Sequence, residues 1–402
     1  MNSIDIRHFV DIDIINKKNV LSVNSTRDTV VLFTLDTKFA PTTDAYTEYS
    51  SIEEVEAVED FDPTTDKAKA IYKYCKVYFD NGGVKLRLIN ANYGNTGTAL
   101  TEITYDAILP FVKELPNEII VVAVVNATIT NNISTVVALA NEYNNSTIDG
   151  FEVYGITEKY FLANDIYTAT TSSITYGTTT VDIDKVKNLA IKMIDQTNQV
   201  GGEMTIAAYL SRVDVYKSND VKDYAFTQEI LNTSNFPSNM NSYVKHAIDK
   251  HKNITIDING VNRNLGGDLT TGEDLINKYV LIILHQTLSQ RVFEVLTQKL
   301  KGNECVTALY SAMSRELNRY LNSGYLSVDK VWTDDDLTIV KNNVTYTLIT
   351  QGTALVTGYK ITILPFASLD PTEIAAHKLP YIYVVLGDSY NIRKATINGE
   401  TI

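Results

Sequence analysis

Strand-like and helix-like segments alternate along residues 28–213, and this alternation restricts the possible folds more than any other feature of the sequence. Apolar runs typical of buried strands stand at residues 28–34, 84–89, 118–126, 150–154 and 204–213. Between them, segments with helical character stand at residues 66–79, 102–115, 133–143 and 184–196. Because alternating strands and helices form crossover units, the pattern predicts an α/β layer with a mostly parallel sheet.

The pattern changes after residue 218. Residues 218–265 are rich in Asn, Ser and Asp, which favours an irregular connection with one short helix near residues 241–250. The stretch from Thr270 to Glu273 resembles a capping box and precedes a helix predicted over residues 272–300. A second helix near residues 306–320 and strands at 338–340, 345–350 and 354–363 follow. The C-terminal part is therefore predicted to be α+β, with two helices beside a small sheet.

Both chain ends carry strand patterns. Residues 4–15 alternate apolar and polar side chains, and residues 381–386 and 390–397 also read as extended. The residues expected to pair are Ile4, Ile6, Phe9, Val10, Ile12 and Ile14 at the start, and Tyr390, Ile392, Lys394 and Ile397 at the end. Two interpretations stay open: the ends close one sheet within the chain, or they pair with other chains.

Composition excludes several classes of partner. The 402 residues carry a net charge of −13, which argues against nucleic acid because a phosphate backbone would be repelled. The most apolar run, residues 119–127, is too short to span a bilayer, and no secretory leader is evident, so a soluble protein without membrane insertion is expected. Cys75 and Cys305 are expected to be free thiols made in a reducing cytosol.

Motifs for catalysis are weak. Residues 92–99 follow a strand and precede a helix, but they lack a phosphate-binding lysine and dinucleotide glycine spacing, so a plain turn is predicted. The cluster His246, Asp249 and His251 lacks common zinc spacing, and residues 334–336 are expected to be a solvated turn. We therefore predict no enzyme activity, no cofactor and no metal.

Several segments, in order, resemble the contractile tail sheath proteins of bacteriophages and related injection machines. The helix over residues 68–79 ends in Tyr78, Phe79, Asn81, Gly82 and Gly83, similar to an aromatic-X-Asn-Gly-Gly turn of that family. Further similarity lies at residues 49–56, 207–214, 264–267 and 370–384. The chain departs from the pattern at His377 and Lys378, where sheaths often carry arginines, and at residues 388–391.

The resemblance implies a structural subunit that polymerises helically around an inner tail tube and contracts for genome ejection. Its implied partners are further copies of itself, the tube protein, and the baseplate and tail terminator proteins, in a virion assembled in the host cytoplasm. The implied layout is an N-terminal arm, an outer α/β domain with a mixed sheet, an inner α+β domain and a C-terminal arm, at residues 1–23, 24–265, 266–386 and 387–402. Terminal strands would be exchanged between subunits.

The segment proposed to face the tube is the short helix near residues 370–378. Its candidate contacts are Asp370, Glu373, His377 and Lys378, although the helix could instead only cap the C-terminal sheet. Two other classes stay open: another virion component, such as a tube, baseplate or adhesion protein, and an α/β enzyme with a nucleotide at residues 92–99.

Overall fold

The computed structural model describes residues 12–15, 30–115, 121–145, 159–166, 171–195, 200–215, 223–231, 240–300, 302–375 and 377–387. The strands of this part are β1 (Ile12–Ile15), β2 (Val30–Thr34), β3 (Thr47–Tyr49), β4 (Leu86–Asn90), β5 (Val121–Val124), β6 (Tyr160–Ile166), β7 (Ser173–Tyr176), β8 (Thr179–Asp182), β9 (Leu189–Ile194), β10 (Asn253–Ile258), β11 (Val261–Leu265), β12 (Lys330–Val331), β13 (Leu337–Lys341), β14 (Val344–Ile349), β15 (Ala354–Leu355), β16 (Tyr359–Ile363) and β17 (Ile382–Leu386).

The α-helices of the same part are α1 (Ile52–Glu56), α2 (Ala70–Asp80), α3 (Tyr105–Glu114), α4 (Ile129–Asn145), α5 (Met204–Arg212), α6 (Met240–Asp249), α7 (Leu275–Thr297), α8 (Gly302–Asn322) and α9 (Pro371–Ala375). Short 3-10 helices occupy Asp66–Ala68, Ile183–Lys185 and Phe366–Ser368. Among these described helices, none has the length and apolar character needed to cross a bilayer.

One large sheet organises the molecule, with the strand order β11-β10-β9-β6-β5-β2-β4-β3. The strands from β10 to β4 run parallel to their neighbours, whereas β11 and β3 pair antiparallel at the two edges. Helices cover both faces, which explains why the central strands read as continuous apolar runs. The predicted α/β layer with a mixed, mostly parallel sheet is confirmed.

Strand β2 separates two apolar cores. Val30 and Leu32 belong to a cluster with α2, α5, α7 and α8, while Val31 and Phe33 belong to a cluster with α3 and α4. This division follows from side chains alternating between the faces of a strand. The first cluster continues across residue 265, and the Tyr160 hydroxyl donates to the Leu275 carbonyl at 3.3 Å. The proposed domain boundary at residue 265 stays a prediction.

The N-cap of the long helix α7 comes one residue after the predicted capping box. Its N-cap is Asp274, whose carboxylate accepts from the backbone N–H groups of Ile276 at 3.0 Å and Asn277 at 2.8 Å. Glu273 instead lies 3.1 Å from the ammonium of Lys278. The predicted capping box of Thr270 and Glu273 was therefore wrong, because the N-cap is Asp274, although the long helix itself was predicted correctly.

The C-terminal part adds small sheets beside α7 and α8. One has the order β1-β17-β16, and two-stranded pairs join β12 to β15 and β13 to β14. The β13–β14 hairpin turns through Asn342 and Asn343, both with positive φ, as a type I′ turn requires. A fourth small sheet, formed by β7 and β8, lies earlier in the chain. The expected combination of two helices with small sheets agrees with this arrangement.

Two predicted elements have the wrong type. The segment predicted as a helix over residues 184–196 contains strand β9, and the strand predicted over residues 204–213 is helix α5. Both are buried on nearly every side, so neither shows the one-sided apolar pattern that separates helix from strand. The β10–β11 hairpin within the expected irregular region was also missed. The predicted strand at residues 150–154 lies outside the described residues.

Both edge strands of the large sheet offer little backbone for pairing with a further strand. At one edge, β3 has only three residues. At the other edge, the backbone of residues 226–229 lies along β11: the Phe226 N–H donates to the Asn264 carbonyl at 2.8 Å, and the Asn264 N–H donates to the Thr227 carbonyl at 2.9 Å. The outer hydrogen-bonding groups of β11 are therefore used within the chain.

Candidate functional site

Strand β17 is the centre of the sheet where the described N-terminal segment and the C-terminal part meet. It pairs in parallel with β1, from Ile12 opposite Ile382 to Ile15 opposite Val385, and antiparallel with β16. All of β17 is buried: Val384 joins the main core, whereas its neighbours on the strand pack against β14 on the opposite face. This sheet is the candidate site for strand pairing between subunits.

The predicted inter-subunit strands are only partly within the described residues. Ile12 and Ile14 lie in β1, which pairs with β17 of the same chain. The other predicted strand residues lie outside the described part of the chain, namely Ile4, Ile6, Phe9, Val10, Tyr390, Ile392, Lys394 and Ile397. Pairing of either arm with a second subunit therefore stays a prediction.

Helix α9 is fastened to the start of β17 by two of the residues predicted to face a tube. The Asp370 carboxylate accepts from the Glu373 N–H at 2.8 Å, and the Glu373 carboxylate accepts from the Asp370 N–H at 3.0 Å. This is a reciprocal capping box. Glu373 also accepts from the Tyr381 hydroxyl, a hydrogen bond that lowers the pKa of Glu373. Asp370 and Glu373 therefore hold the helix in place.

The other two predicted tube-facing residues lie at the surface. His377 and Lys378 are exposed, and the Lys378 side chain retains 61% of its accessible area although its ammonium lies 3.6 Å from Glu373. Beside them, the Lys341 ammonium lies 3.5 Å from the centre of the Tyr381 ring. Of the four predicted contacts, His377 and Lys378 are thus the exposed ones, and contact with a tube stays a prediction.

The family-like turn after α2 is an internal packing unit. Gly82 has a φ of +79°, and the Gly83 N–H donates to the Tyr78 carbonyl at 2.9 Å, so the chain reverses directly into β4. A Cβ on Gly83 would overlap the buried ring of Tyr78. The Asn81 side chain exchanges hydrogen bonds with the backbone of Ile230, at 2.8 and 3.2 Å. Phe79 packs edge-on against Tyr78.

Asparagine side chains fill the position where open α/β sheets usually bind ligands. The chain passes from β2 to β4 by way of α2 and returns to β5 by way of α3, which creates a topological switch point. There the Asn126 carboxamide accepts a hydrogen bond from the Ile103 N–H and donates one to the Ile103 carbonyl, both at 2.9 Å. It also donates to the Thr135 hydroxyl at 3.1 Å. Asn90 donates to the Ala40 carbonyl at 2.7 Å. The crevice is thereby closed by its own loops.

The loop at residues 92–99 also uses its donors internally. The Asn92 carboxamide oxygen accepts from the Leu100 N–H at 2.7 Å, and the Asn95 oxygen accepts from the Gly97 N–H at 2.8 Å. A phosphate would need such N–H groups to point at the ligand. This geometry disfavours the nucleotide-binding alternative.

The acidic and histidine clusters of the sequence do not converge. His251 lies 3.3 Å from Asp268, and the Asp336 carboxylate accepts from the Gln351 N–H at 2.8 Å. Within the part of the chain that the structure describes, no three His, Cys, Asp or Glu side chains are grouped so that they could hold a metal ion.

A buried carboxyl that sequence reasoning missed lies at the start of α5. Glu203 is fully buried, and neither carboxyl oxygen has a hydrogen-bond partner among the described residues. Its N–H donates to Asn164 at 3.0 Å, and Asn164 and Asn132 both donate to the Tyr74 hydroxyl, at 3.1 and 3.0 Å. Burial raises the pKa of Glu203 to about 8, so the group is protonated at neutral pH.

A second missed cluster surrounds Lys192 of β9. The Lys192 ammonium lies 2.6 Å from Glu229, and this pair is almost completely buried. The sequence signal was a lysine inside the apolar run of residues 189–194, within the segment predicted as a helix over residues 184–196.

Three solved structures with a similar fold come from one contractile particle. A chain of the helical sheath of the anti-feeding prophage (AFP) in the contracted state matches with a TM-score of 0.59 and 12% identity, over 95% of this chain and 96% of that chain. A chain in the AFP baseplate matches with a TM-score of 0.58 and 13% identity, over 95% of both chains. A chain in the contracted AFP baseplate matches with a TM-score of 0.57 and 14% identity, over 98% of both chains.

No protein-family model and no curated protein matches the sequence. The structural likeness nevertheless extends over almost the whole chain, including the large sheet and the C-terminal part. The fold is that of a component of a contractile machine. More specifically, it is the contractile tail sheath fold, as the resemblance in the sequence predicted.

Proposed function

We propose that this chain is the structural subunit of a contractile sheath, which polymerises helically around an inner tube and contracts to drive the tube through a host envelope. The observation that carries the proposal is the end-to-end likeness to a chain of the helical AFP sheath. The closed switch-point crevice and the internally bonded loop at residues 92–99 support a structural role over a nucleotide-dependent enzyme.

The proposed assembly contact is strand exchange at the β1-β17-β16 sheet. Residues 1–15 of one subunit would pair with β17 of another, and the C-terminal arm, with Tyr390 and Ile392, would pair in the same manner. A strand making about five backbone hydrogen bonds, at roughly 1 kcal/mol each, contributes on the order of 5 kcal/mol before side-chain burial. Contraction would rearrange subunit contacts from a metastable lattice without nucleotide hydrolysis.

Electron microscopy of the purified chain tests the proposal. We expect hollow tubes or sheath-like rings, whereas monodisperse monomers at high concentration would contradict it. Deleting residues 1–15 should give a folded monomer, because the large sheet begins at Val30. Tubes formed by this deletion variant would refute the role of the N-terminal strand.

Disulfide trapping separates exchange from pairing within one chain. Ile14 and Val384 are opposite each other in β1 and β17, so the double variant Ile14→Cys and Val384→Cys places two thiols in register. Strand exchange predicts a ladder of covalent oligomers on a non-reducing gel. A linked monomer as the sole product would show that the strand stays in its own chain. Ile14→Cys alone is the control.

The exposed end of α9 is the proposed tube contact, through His377 and Lys378. Lys378→Glu should weaken co-assembly with a tube that carries acidic groups, while the subunit remains folded because this lysine is exposed. Lys245→Glu, at an exposed position on α6, is the matched control. Equal co-assembly of both variants would show that α9 is not part of the tube contact.

A baseplate component of the same fold is the second candidate. Two of the similar chains belong to AFP baseplate structures. Closed rings that never extend into tubes, even after long incubation, would favour this role over a sheath.

A further inference from the structure

A buried amine, a carboxylate and a carboxamide meet between β9, β11 and residues 223–231. The Lys192 ammonium nitrogen lies 2.6 and 2.9 Å from the two Glu229 carboxylate oxygens and 2.9 Å from the Asn264 carboxamide oxygen. Tyr224 completes the group, with its hydroxyl 3.2 Å from the same nitrogen. Lys192 and Asn264 lie on different strands, with β10 between them.

The surroundings exclude water and order every reacting group. Lys192 and Asn264 have no accessible surface, and Glu229 retains 4%. Glu229 also accepts from the Tyr224 and Thr255 hydroxyls. The Asn264 NH2 group is directed at the Tyr224 carbonyl, 3.4 Å away, which leaves the carboxamide oxygen facing the lysine.

Burial changes the chemistry of the lysine. It lowers the pKa of Lys192, because the charged ammonium loses its hydration, and this favours transfer of a proton to Glu229. A neutral amine is a nucleophile, and the 2.9 Å contact with the Asn264 carboxamide oxygen holds this amine next to the group that it would attack.

We propose that Lys192 and Asn264 become joined by an intramolecular isopeptide bond, with Glu229 as the proton carrier. The inference does not depend on the proposed sheath function. It assigns a covalent bond to two residues, and a proton-transfer role to a third, in what is otherwise a buried polar cluster.

The reaction balances without an additional reactant. The Lys192 ammonium gives one proton to the Glu229 carboxylate, and the resulting amine adds its electron pair to the Asn264 carboxamide carbon. The tetrahedral carbon then expels the carboxamide nitrogen, which takes a proton from Glu229 as it leaves, while the lysine nitrogen returns its remaining extra proton to the carboxylate. One N–C bond forms, one C–N bond breaks, and ammonia is released with one proton left on Glu229.

A second buried pair provides an internal comparison. The Lys252 ammonium lies 2.6 Å from Asp165 and is equally buried, but its other acceptor is the Thr171 carbonyl at 2.8 Å. Among the described contacts of this pair, there is no second carboxyl to carry protons. Lys252 and Asp165 should therefore remain an ordinary ion pair.

Mass spectrometry of the folded, full-length chain tests the proposal directly. We expect an intact mass lower than the sequence mass by one ammonia molecule. Trypsin should give a branched peptide that joins residues 188–212 to residues 264–278, with no cleavage after Lys192. Ammonia loss by succinimide formation, for example at Asn259 before Gly260, would leave these peptides separate and would overturn the proposal. An unchanged mass after prolonged incubation would also overturn it.

Substitution of the proton carrier tests the mechanism. Glu229→Gln keeps the size of the side chain but cannot accept the proton, so we expect less than a tenth of the linked peptide. Lys252→Arg, at the comparison pair, should leave the linked fraction unchanged in the folded protein. Equal linkage in Glu229→Gln would refute the role of Glu229. If that variant does not fold, the peptide map of the unsubstituted chain still decides whether the bond exists.

Discussion

Replacing Glu203 by Gln should remove a large pH dependence from the stability of this chain. The carboxyl is fully buried, and its pKa of about 8 compares with an ordinary value of 4.5. Between these two pH values the folded state holds a proton that the unfolded state has lost. The free energy of unfolding therefore falls as the pH rises through this window, and it is unaffected by this group below pH 4.5.

The size of the effect follows from the same two values. Each pH unit corresponds to about 1.4 kcal/mol, so the contribution of Glu203 to the free energy of unfolding falls by roughly 4 to 5 kcal/mol between pH 4.5 and 8. A glutamine cannot ionise, so this contribution to the pH dependence is absent from the variant. We expect Glu203→Gln to be more stable than the parent chain at pH 8 and similar to it at pH 5.

Urea unfolding at several pH values between 5 and 8, at concentrations too low for assembly, measures this difference. Glu304→Gln, at an exposed position on α8, is the control and should follow the parent profile. Infrared spectroscopy should show a protonated carboxyl band at pH 7 that is missing in Glu203→Gln. A stability difference that stays constant with pH would refute the assignment of a neutral buried carboxyl.

Two further predictions concern the packing around the large sheet. Gly83→Ala should lower the free energy of unfolding by about 1–3 kcal/mol in urea titrations, because the new methyl group overlaps the Tyr78 ring, whereas Gly97→Ala should change it by less than about 0.5 kcal/mol. Asn126→Leu should cost about 1–3 kcal/mol by the same measurement, because both backbone groups of Ile103 lose a buried partner. Parent-like unfolding of either Gly83→Ala or Asn126→Leu would contradict the packing described for it.

Periodicity predicted three of the eight strands of the large sheet, β2, β4 and β5, together with the helices α2, α3 and α4, because these elements bury one face or two in a recognisable pattern. Strand β2 and helix α2 are examples, since their apolar residues are typical of a covered strand and of one helix face. The pattern failed at β9 and α5, where burial is almost complete. Inside β9, Lys192 can be buried because its charge is matched by Glu229, a residue distant in sequence.

The candidate site was predicted less completely than the fold. Sequence similarity identified the α9 segment, but it could not show that the Tyr381 hydroxyl donates to Glu373, because that contact depends on the position of β17. The β10–β11 hairpin carries Asn259 before Gly260, a recognised turn signal that was obscured by the surrounding polar residues. Glu203 gave no signal, since an isolated glutamate before a helix is usually exposed.

The segment at residues 226–229 has a consequence for the free subunit. Under the proposed strand exchange, the free subunit has to stay folded at high concentration without pairing with another chain at the wrong strand. Because this segment already occupies the outer side of β11, and β3 at the opposite edge is very short, the largest sheet presents little template for a foreign strand. Unassembled subunits should therefore resist amyloid-like aggregation, and a variant whose segment cannot lie along β11 should precipitate before it assembles.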